Sequence, residues 1–231
     1  MRQKSYRVAI ALAPGIIFLS FLIVLFTPST RRVALWMLGE NHPVEILTLV
    51  IALAGGIFGL SLAWRARKLE ETNFVVVFYA AFSVTLLIIG MEEIAWGQQF
   101  FGFDTPAAWR AYNLQGETTF HNLSGVHGHT EIFRLVFGIG GLVGVWFSFY
   151  PYFRKIASPI VLLPWFVIIA LHAGVDVYND YIPLGKQFDY HVQRTSEFIE
   201  LLIVISAFLY IALKSKMFSF TLKPSESFGE R

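Results

Sequence analysis

The pattern of hydrophobic and polar positions divides the chain into six long apolar segments joined by polar connections. Each segment approaches the ~20 residues that a helix needs to cross the ~30 Å hydrocarbon core of a bilayer. No alternating barrel pattern accompanies them, so helices are the structure that satisfies the backbone in lipid. The predicted helices, including polar residues that continue them, cover residues 8–26, 44–64, 73–101, 132–152, 159–180 and 196–213.

Composition places the chain in the same class. Hydrophobic residues make up 55% of it and charged residues 15%, whereas soluble domains average about 25% charged. The run 8–26 follows three basic residues but lacks a small-residue cleavage site, which favours a retained helix over a signal peptide. We therefore predict an all-α integral membrane bundle of about six transmembrane helices, forming a single domain over residues 1–231.

Lysine and arginine are concentrated on one side of this predicted bundle. With six helices, both termini and two connections share that side, and the positive-inside rule places it in the cytoplasm. All six histidines belong to the opposite half, so we expect a polar cavity open to the outer face of a cell membrane. The basic residues of the cytoplasmic side are Arg2, Lys4, Arg7, Arg65, Arg67, Lys68, Arg154, Lys155, Lys214, Lys216, Lys223 and Arg231.

Charge and cysteine content exclude several functions. The net charge of +2 is spread over short connections without a basic block, which argues against nucleic-acid binding. Because the chain has no cysteine, disulfides, thiolate metal ligands and cysteine nucleophiles are excluded. Expected partners are membrane lipid and a lipid-linked substrate, and a homo-oligomer or a larger membrane complex is also compatible with the sequence.

The third predicted helix ends in two adjacent glutamates. Neighbouring helical positions differ by ~100° in direction, so Glu92 and Glu93 cannot face the same way. We expect at least one to face the bundle interior and prefer Glu93, with Glu92 as the alternative and two interfacial charges as the simpler interpretation. Trp96 and Gln98 follow them as candidate substrate-binding residues.

The connection 103–130 is too long to be a minimal loop. Asp104 or Thr105 can cap a short amphipathic helix that starts at Ala107. Three histidines follow, and their spacing fits no standard zinc motif. We expect His121 to return to the bundle because Phe120 and Leu123 draw its segment inward, whereas His127 and His129 are predicted to be solvated.

The fifth predicted helix carries a histidine and two aspartates on one face. His172, Asp176 and Asp180 are four residues apart in turn. The first two can act as joint metal ligands, or as a base and the acid that orients it. A buried hydrogen-bonded pair that joins two helices is the structural alternative, and their depth in an apolar span favours a functional role.

The sixth predicted helix begins with a polar segment. Thr195 or Ser196 can cap it, and Glu197 suits the positive end of the helix dipole. Glu200 lies one turn deeper and has no such explanation. We treat Glu200 as a candidate acid or base and regard Glu197 and Arg194 as candidate substrate-binding residues. Glycines at 138, 140, 141 and 144 give the fourth helix a small-residue face suited to helix packing.

These residues converge on one side of the predicted bundle. His172, Asp176 and His121 are predicted to bind zinc or another divalent metal. Glu93 would then act as general base on a metal-bound water. This arrangement describes a metal-dependent hydrolase or transferase for a lipid or lipid-linked substrate. The alternatives are a proton- or cation-coupled transporter and a non-catalytic membrane subunit of a larger complex, so enzymatic activity stays open.

The strings Glu92-Glu93-Ile94-Ala95-Trp96-Gly97-Gln98, Gln115-Gly116-Glu117 and His121-Asn122-Leu123 resemble a block found in uncharacterised bacterial polytopic membrane proteins. The resemblance covers residues 92–123 and implies a bacterial inner-membrane location, with the third helix and its loop acting as one unit. It implies no particular activity.

A looser resemblance connects the histidine and aspartate set to the alkaline ceramidase and adiponectin receptor superfamily. Those seven-helix proteins bind zinc inside the bundle through histidines and an aspartate, and they hydrolyse lipid amides. This chain differs because it has six predicted helices and carries Glu197-x-x-Glu200 where the last helix of that superfamily has paired histidines.

Overall fold

The computed structural model describes residues 2–113, 116–120, 122–124 and 129–218, and within these ranges the regular structure is helical apart from one bridge between Asn113 and Leu123. The α-helices are α1 (Arg2–Phe26), α2 (Arg31–Met37), α3 (Pro43–Lys68), α4 (Asn73–Glu93), α5 (Gln98–Phe101), α6 (Ala107–Arg110), α7 (Thr130–Trp146), α8 (Leu163–Tyr181) and α9 (Lys186–Ser215). Short 3-10 turns cover Ala95–Gly97, Phe147–Phe149, Pro151–Phe153, Ile160–Leu162 and Lys216–Phe218.

Six of these helices are long and apolar enough to cross a membrane: α1, α3, α4, α7, α8 and α9. The predicted all-helical fold is therefore confirmed in the number, length and composition of its spanning helices. These features indicate a multi-pass membrane protein.

The last helix, α9, forms the centre of the bundle. Residues buried inside the protein make up 61% of its most apolar stretch, against 17% for α1 and for α7. It packs against both α3 and α8, while α3 packs along α4 and α7 packs along α8. Two helix pairs therefore surround α9, and α1 lies against α8 on the outside.

The spanning helices place the polar residues at one end of the bundle. We call this the polar end. The spanning helices begin or end there, at Phe26, Pro43, Glu93, Thr130, Tyr181 and Lys186. At the opposite end, the Tyr79 hydroxyl donates to the carbonyl of Lys155 at 2.6 Å, and Lys214 Nζ donates to the carbonyl of Arg154 at 2.7 Å. These bonds attach the connection between α7 and α8 to helices α4 and α9.

The glycines predicted to form a packing face on α7 have two different roles. A Cβ at Gly138 would lie 2.7 Å from the backbone nitrogen of Ala170, and one at Gly141 would lie 2.1 Å from the Phe166 ring. These two glycines allow α7 and α8 to approach closely. Gly140, in contrast, faces open space, with no atom within 4 Å of a Cβ built there.

The third predicted helix, 73–101, is interrupted. Helix α4 ends at Glu93, and the φ angles of Ala95, Trp96 and Gly97 are +46°, +56° and +83°. Left-handed residues cannot continue the hydrogen-bond ladder of a right-handed helix. The chain therefore turns sharply before a new helical turn starts at Gln98.

The predicted start of the last helix at residue 196 is wrong by ten residues, since α9 begins at Lys186. Thr195 and Ser196 consequently lie inside the helix and do not cap it. The Thr195 hydroxyl bonds to the carbonyl of His191 at 2.9 Å, and the Ser196 hydroxyl bonds to that of Val192 at 3.1 Å. Such bonds to the preceding turn are typical of threonine and serine within helices.

Candidate functional site

A buried arginine joins three helices at the polar end. Arg134 of α7 is 7% exposed, and its Nη2 lies 2.8 Å from Oδ2 of Asp176 on α8. Its Nη1 lies 2.7 Å from Oε1 of Glu200 on α9 and 3.3 Å from the Thr130 hydroxyl. The Ser196 hydroxyl also donates to Asp176 Oδ2, at 3.2 Å. Charge-assisted bonds of this kind are stronger than neutral ones and fix the partners' geometry.

Arg134 is not among the functional residues that the sequence pattern predicts. Its position contained a usable signal, since it is the third residue of the predicted span 132–152. An ionisable residue inside an apolar span needs a partner in the bundle. Asp176 on α8 and Glu200 on α9 are the partners of Arg134.

A group of carboxylates lies beside this ion pair. Glu93, at the end of α4, interacts electrostatically with Glu45 of α3 and with Glu197 and Glu200 of α9. All of these interactions are repulsive when the groups are ionised. Among the ion pairs that the described part of the chain forms, none includes Glu93.

Glu45 was not singled out from the sequence. It lies in the first turn of α3, where the helix dipole alone accounts for an acidic residue, so only the folded arrangement shows that it approaches Glu93. Glu200 forms the ion pair with Arg134. It also lies close enough to Glu93 and Glu45 for their charges to repel one another when ionised.

Glu92 has a different environment from Glu93, although the two are adjacent. Its Oε1 accepts a hydrogen bond from the Trp96 indole at 2.6 Å. Its Oε2 accepts another from the backbone nitrogen of Phe120, also at 2.6 Å. Glu92 thus holds the loop after α4 against the end of that helix.

Gln98 performs a similar task. Its Nε2 donates to the Thr105 hydroxyl at 3.0 Å and to the carbonyl of Gly116 at 3.3 Å, and its Oε1 accepts from the backbone nitrogen of Thr118 at 2.8 Å. Trp96 and Gln98, predicted to bind substrate, therefore both contribute to folding the loop. Their predicted contact with a substrate stays a prediction.

His172 and Asp176 lie one turn apart on α8, as their spacing requires, and make separate contacts. The Thr195 hydroxyl already donates to the carbonyl of His191 at 2.9 Å. His172 Nε2 lies 2.7 Å from the same hydroxyl. His172 Nδ1 is buried and has no hydrogen-bond partner among the residues that the structure describes.

The predicted metal ligands are only partly placed. His121 lies outside the described residues, as do His127 and Gln115, while Asp176 is occupied by Arg134 and Ser196. Within the described ranges, no three histidine, aspartate or glutamate side chains are arranged to hold a metal ion. The metal set therefore stays a prediction.

The other predicted residues are peripheral. Arg194 is exposed, and its guanidinium lies 5.5 Å from the centre of the Tyr190 ring. His129, predicted to be solvated, lies with Nδ1 3.6 Å from Oε1 of the buried Glu131. Asp180 is exposed near the end of α8.

No protein-family model, curated protein or solved structure matches this chain. The fold and the site therefore define only the general class of protein. The chain is a helical multi-pass membrane protein with a buried arginine–carboxylate network at one end of its bundle.

Proposed function

We propose that the polar end binds a proton or a small cation and that the chain is a proton- or cation-coupled transporter. The shared position of Glu200 carries this proposal. Its Oε1 pairs with Arg134 at 2.7 Å, and its carboxylate also interacts with that of Glu93.

Charge balance supports an exchangeable positive charge at this place. Glu45, Glu93, Asp176 and Glu200 together carry four negative charges when ionised, and Arg134 supplies one positive charge. Excess charge near membrane depth is costly, and carboxylates that share a site disfavour one another's ionised form. A proton or a cation held between Glu93 and Glu200 relieves this repulsion.

Binding at Glu93 and Glu200 would be coupled to helix packing through Arg134. A cation that takes part of the Glu200 charge weakens the bond between Glu200 and Arg134. Because Arg134 joins α7 to both α8 and α9, this weakening changes the relative stability of two helix arrangements. A ligand that binds one arrangement better than the other shifts the equilibrium between them, as transport requires.

The proposed orientation places both termini in the cytoplasm and opens the polar end to the outer face. The distribution of lysine and arginine supports it. Protons or cations would then enter from the outside.

Ion flux into proteoliposomes tests the proposal. An entrapped dye reports proton entry, and parallel assays use Na⁺, K⁺ and Mg²⁺. We expect Glu93→Gln to reduce the coupled flux at least about tenfold, the effect of losing about 1.4 kcal/mol of binding. Glu92→Gln is the matched control, because it makes the same change at the adjacent carboxylate, which contacts Trp96 and the Phe120 backbone of the loop after α4. Equal flux in both variants, or no flux of any tested ion in the wild type, would contradict the proposal.

A metal-dependent hydrolase or transferase for a lipid or lipid-linked substrate is the second candidate. The buried Nδ1 of His172 favours it. This atom has no hydrogen-bond partner among the described residues, and imidazole nitrogen is a common ligand for zinc. Elemental analysis of the purified protein beside His172→Gln tests it. One zinc, manganese or iron ion per chain, lost in the variant, would support the enzyme, whereas a metal-free and folded wild type would count against it.

A further inference from the structure

An apolar groove of about 280 Å³ lies in the half of the bundle away from the polar end. It is bounded by α4 on one side and α7 on the other, with α9 behind them. Val143, which lines it, is 40% exposed, so the groove opens on the outer surface of the bundle. The other residues that define it include Phe78, Phe82, Phe137, Gly140, Phe147 and Tyr210.

Gly140 keeps part of this groove empty. A Cβ at that position would meet no atom within 4 Å, whereas Gly138 and Gly141 are packed tightly against α8. A side chain at position 140 would therefore begin at the wall of the groove without a clash at its Cβ.

Two cations lie next to each other at one end of the groove. Lys214 is 6% exposed, and its ammonium contacts the carbonyl of Arg154 at 2.7 Å and the Met217 sulfur at 3.9 Å. Its charge and that of Arg154 repel each other. Tyr210 is one turn before Lys214, and Ile156 is two residues after Arg154, and both line the groove.

This pair of cations has no acidic partner in the part of the chain that the structure describes. A buried ammonium is costly unless it is paired with an opposite charge. Two adjacent cations make the repulsion worse, and an anion that bridges them removes it. A negatively charged ligand would therefore stabilise this pair.

We infer that the groove binds an anionic phospholipid, with an acyl chain between α4 and α7 and its phosphate at Lys214 and Arg154. Lys214 and Arg154 follow or precede groove-lining residues by at most four positions, so a lipid whose acyl chain fills the apolar groove could bring its phosphate to them. The end that contains Lys214 belongs to the predicted cytoplasmic side, where anionic lipids attract basic residues. The inference is independent of the proposed transport site, which lies at the other end of the bundle.

Thermal unfolding of the detergent-purified protein, with added phosphatidylglycerol, phosphatidylcholine or inorganic phosphate, tests the inference. A ligand that binds only the folded state raises Tm. We expect phosphatidylglycerol to raise Tm more than phosphatidylcholine does, and inorganic phosphate to have no effect. Arg154→Gln should weaken the response to phosphatidylglycerol about fivefold in apparent affinity, as expected for the loss of one charge near a lipid surface.

Gly140→Trp should abolish the response by filling the groove. Ile139→Trp is its matched control, because Ile139 is 49% exposed and does not line the groove. A full response in Gly140→Trp would overturn the assignment of the acyl chain. An equal rise in Tm with phosphatidylcholine would overturn the role of the cations. An equal rise with inorganic phosphate would show a site for a free anion and overturn the lipid.

Discussion

Arg134 is a charged side chain buried between three helices of the bundle. Both of its Nη atoms bond to carboxylates, and its side chain is only 8% exposed. Replacing it leaves Asp176 and Glu200 without their cation inside the bundle. Removing one member of a buried ion pair is far more destabilising than replacing the whole pair by apolar groups.

We predict that Arg134→Met lowers the free energy of unfolding by about 3–5 kcal/mol. Arg110→Met is the control, because Arg110 and Asp104 form a surface pair at 3.9 Å with side chains 62% and 97% exposed, and such pairs contribute about 0–1 kcal/mol. Denaturant unfolding in detergent measures both variants. Equal losses would show that the Arg134 network does not hold the helices together.

At this scale, the sequence predicted some features well and missed others. The different directions of Glu92 and Glu93 follow from helical geometry alone. The predicted helix-capping roles of Thr195 and Ser196 are wrong, because the mostly polar residues 186–195 resemble a loop in sequence but form the start of α9. The first part of α9 is held against α8 by bonds such as that from Asn179 Nδ2 to Asp189 Oδ1 at 2.9 Å. A local sequence pattern does not contain such contacts between helices.

Among the structural elements, the sharp break after α4 shows the limit of periodicity. Residues 94–97 are apolar and favour a continuous helix, and only Gly97 is a conventional signal for a left-handed turn. Left-handed φ angles at Ala95 and Trp96 are uncommon for such residues. Contacts that the pattern does not contain, such as the Trp96–Glu92 bond, stabilise this conformation.

Helix α3 ends in a Schellman motif without the usual glycine. The Glu70 nitrogen bonds to the carbonyl of Arg67 and that of Glu71 bonds to the carbonyl of Ala66, each at 3.1 Å, while Glu70 has a φ of +56°. Glycine adopts this conformation without the Cβ clash that costs about 1–2 kcal/mol. We predict that Glu70→Gly raises the free energy of unfolding by about 1 kcal/mol. Glu70→Ala, which keeps a Cβ, should give no gain, and an equal gain would contradict the explanation.

The close contact between α7 and α8 leads to a second prediction at the level of the helices. Because a Cβ at Gly138 would lie 2.7 Å from the Ala170 backbone, Gly138→Ala should destabilise the protein by about 1–3 kcal/mol, the usual cost of overpacking. Gly140→Ala should instead stabilise it by up to about 1 kcal/mol through helix propensity. Thermal unfolding of the two variants checks the difference, and the same sign for both would refute the packing assignment.

For the whole molecule, the number and approximate lengths of the spanning helices could be predicted because a bilayer imposes them. The central position of α9 could not, since it depends on how side chains from separate helices pack together. Its apolar composition resembles that of the lipid-exposed helices, and a hydropathy pattern does not distinguish burial in protein from burial in lipid.

The orientation is a prediction at the same scale. The chain contains no cysteine, so a single introduced cysteine is the only labelling site. Ala108 and Thr72 are both exposed and uncharged, and they belong to the predicted outer and cytoplasmic sides. A membrane-impermeant maleimide should label Ala108→Cys in intact cells and Thr72→Cys only after permeabilisation. The reverse pattern would invert the topology.

The most direct test of the account is infrared spectroscopy of the purified protein for the protonated carboxyl group of Glu93, combined with elemental analysis of bound cations. We predict a C=O band of a protonated carboxyl that is present in the wild type and in Glu92→Gln and missing in Glu93→Gln. If the site holds a cation in place of the proton, elemental analysis should instead find one bound cation per chain. A wild type without this band and without a bound cation would contradict the account, because Glu93 would then tolerate the surrounding carboxylates without any positive partner.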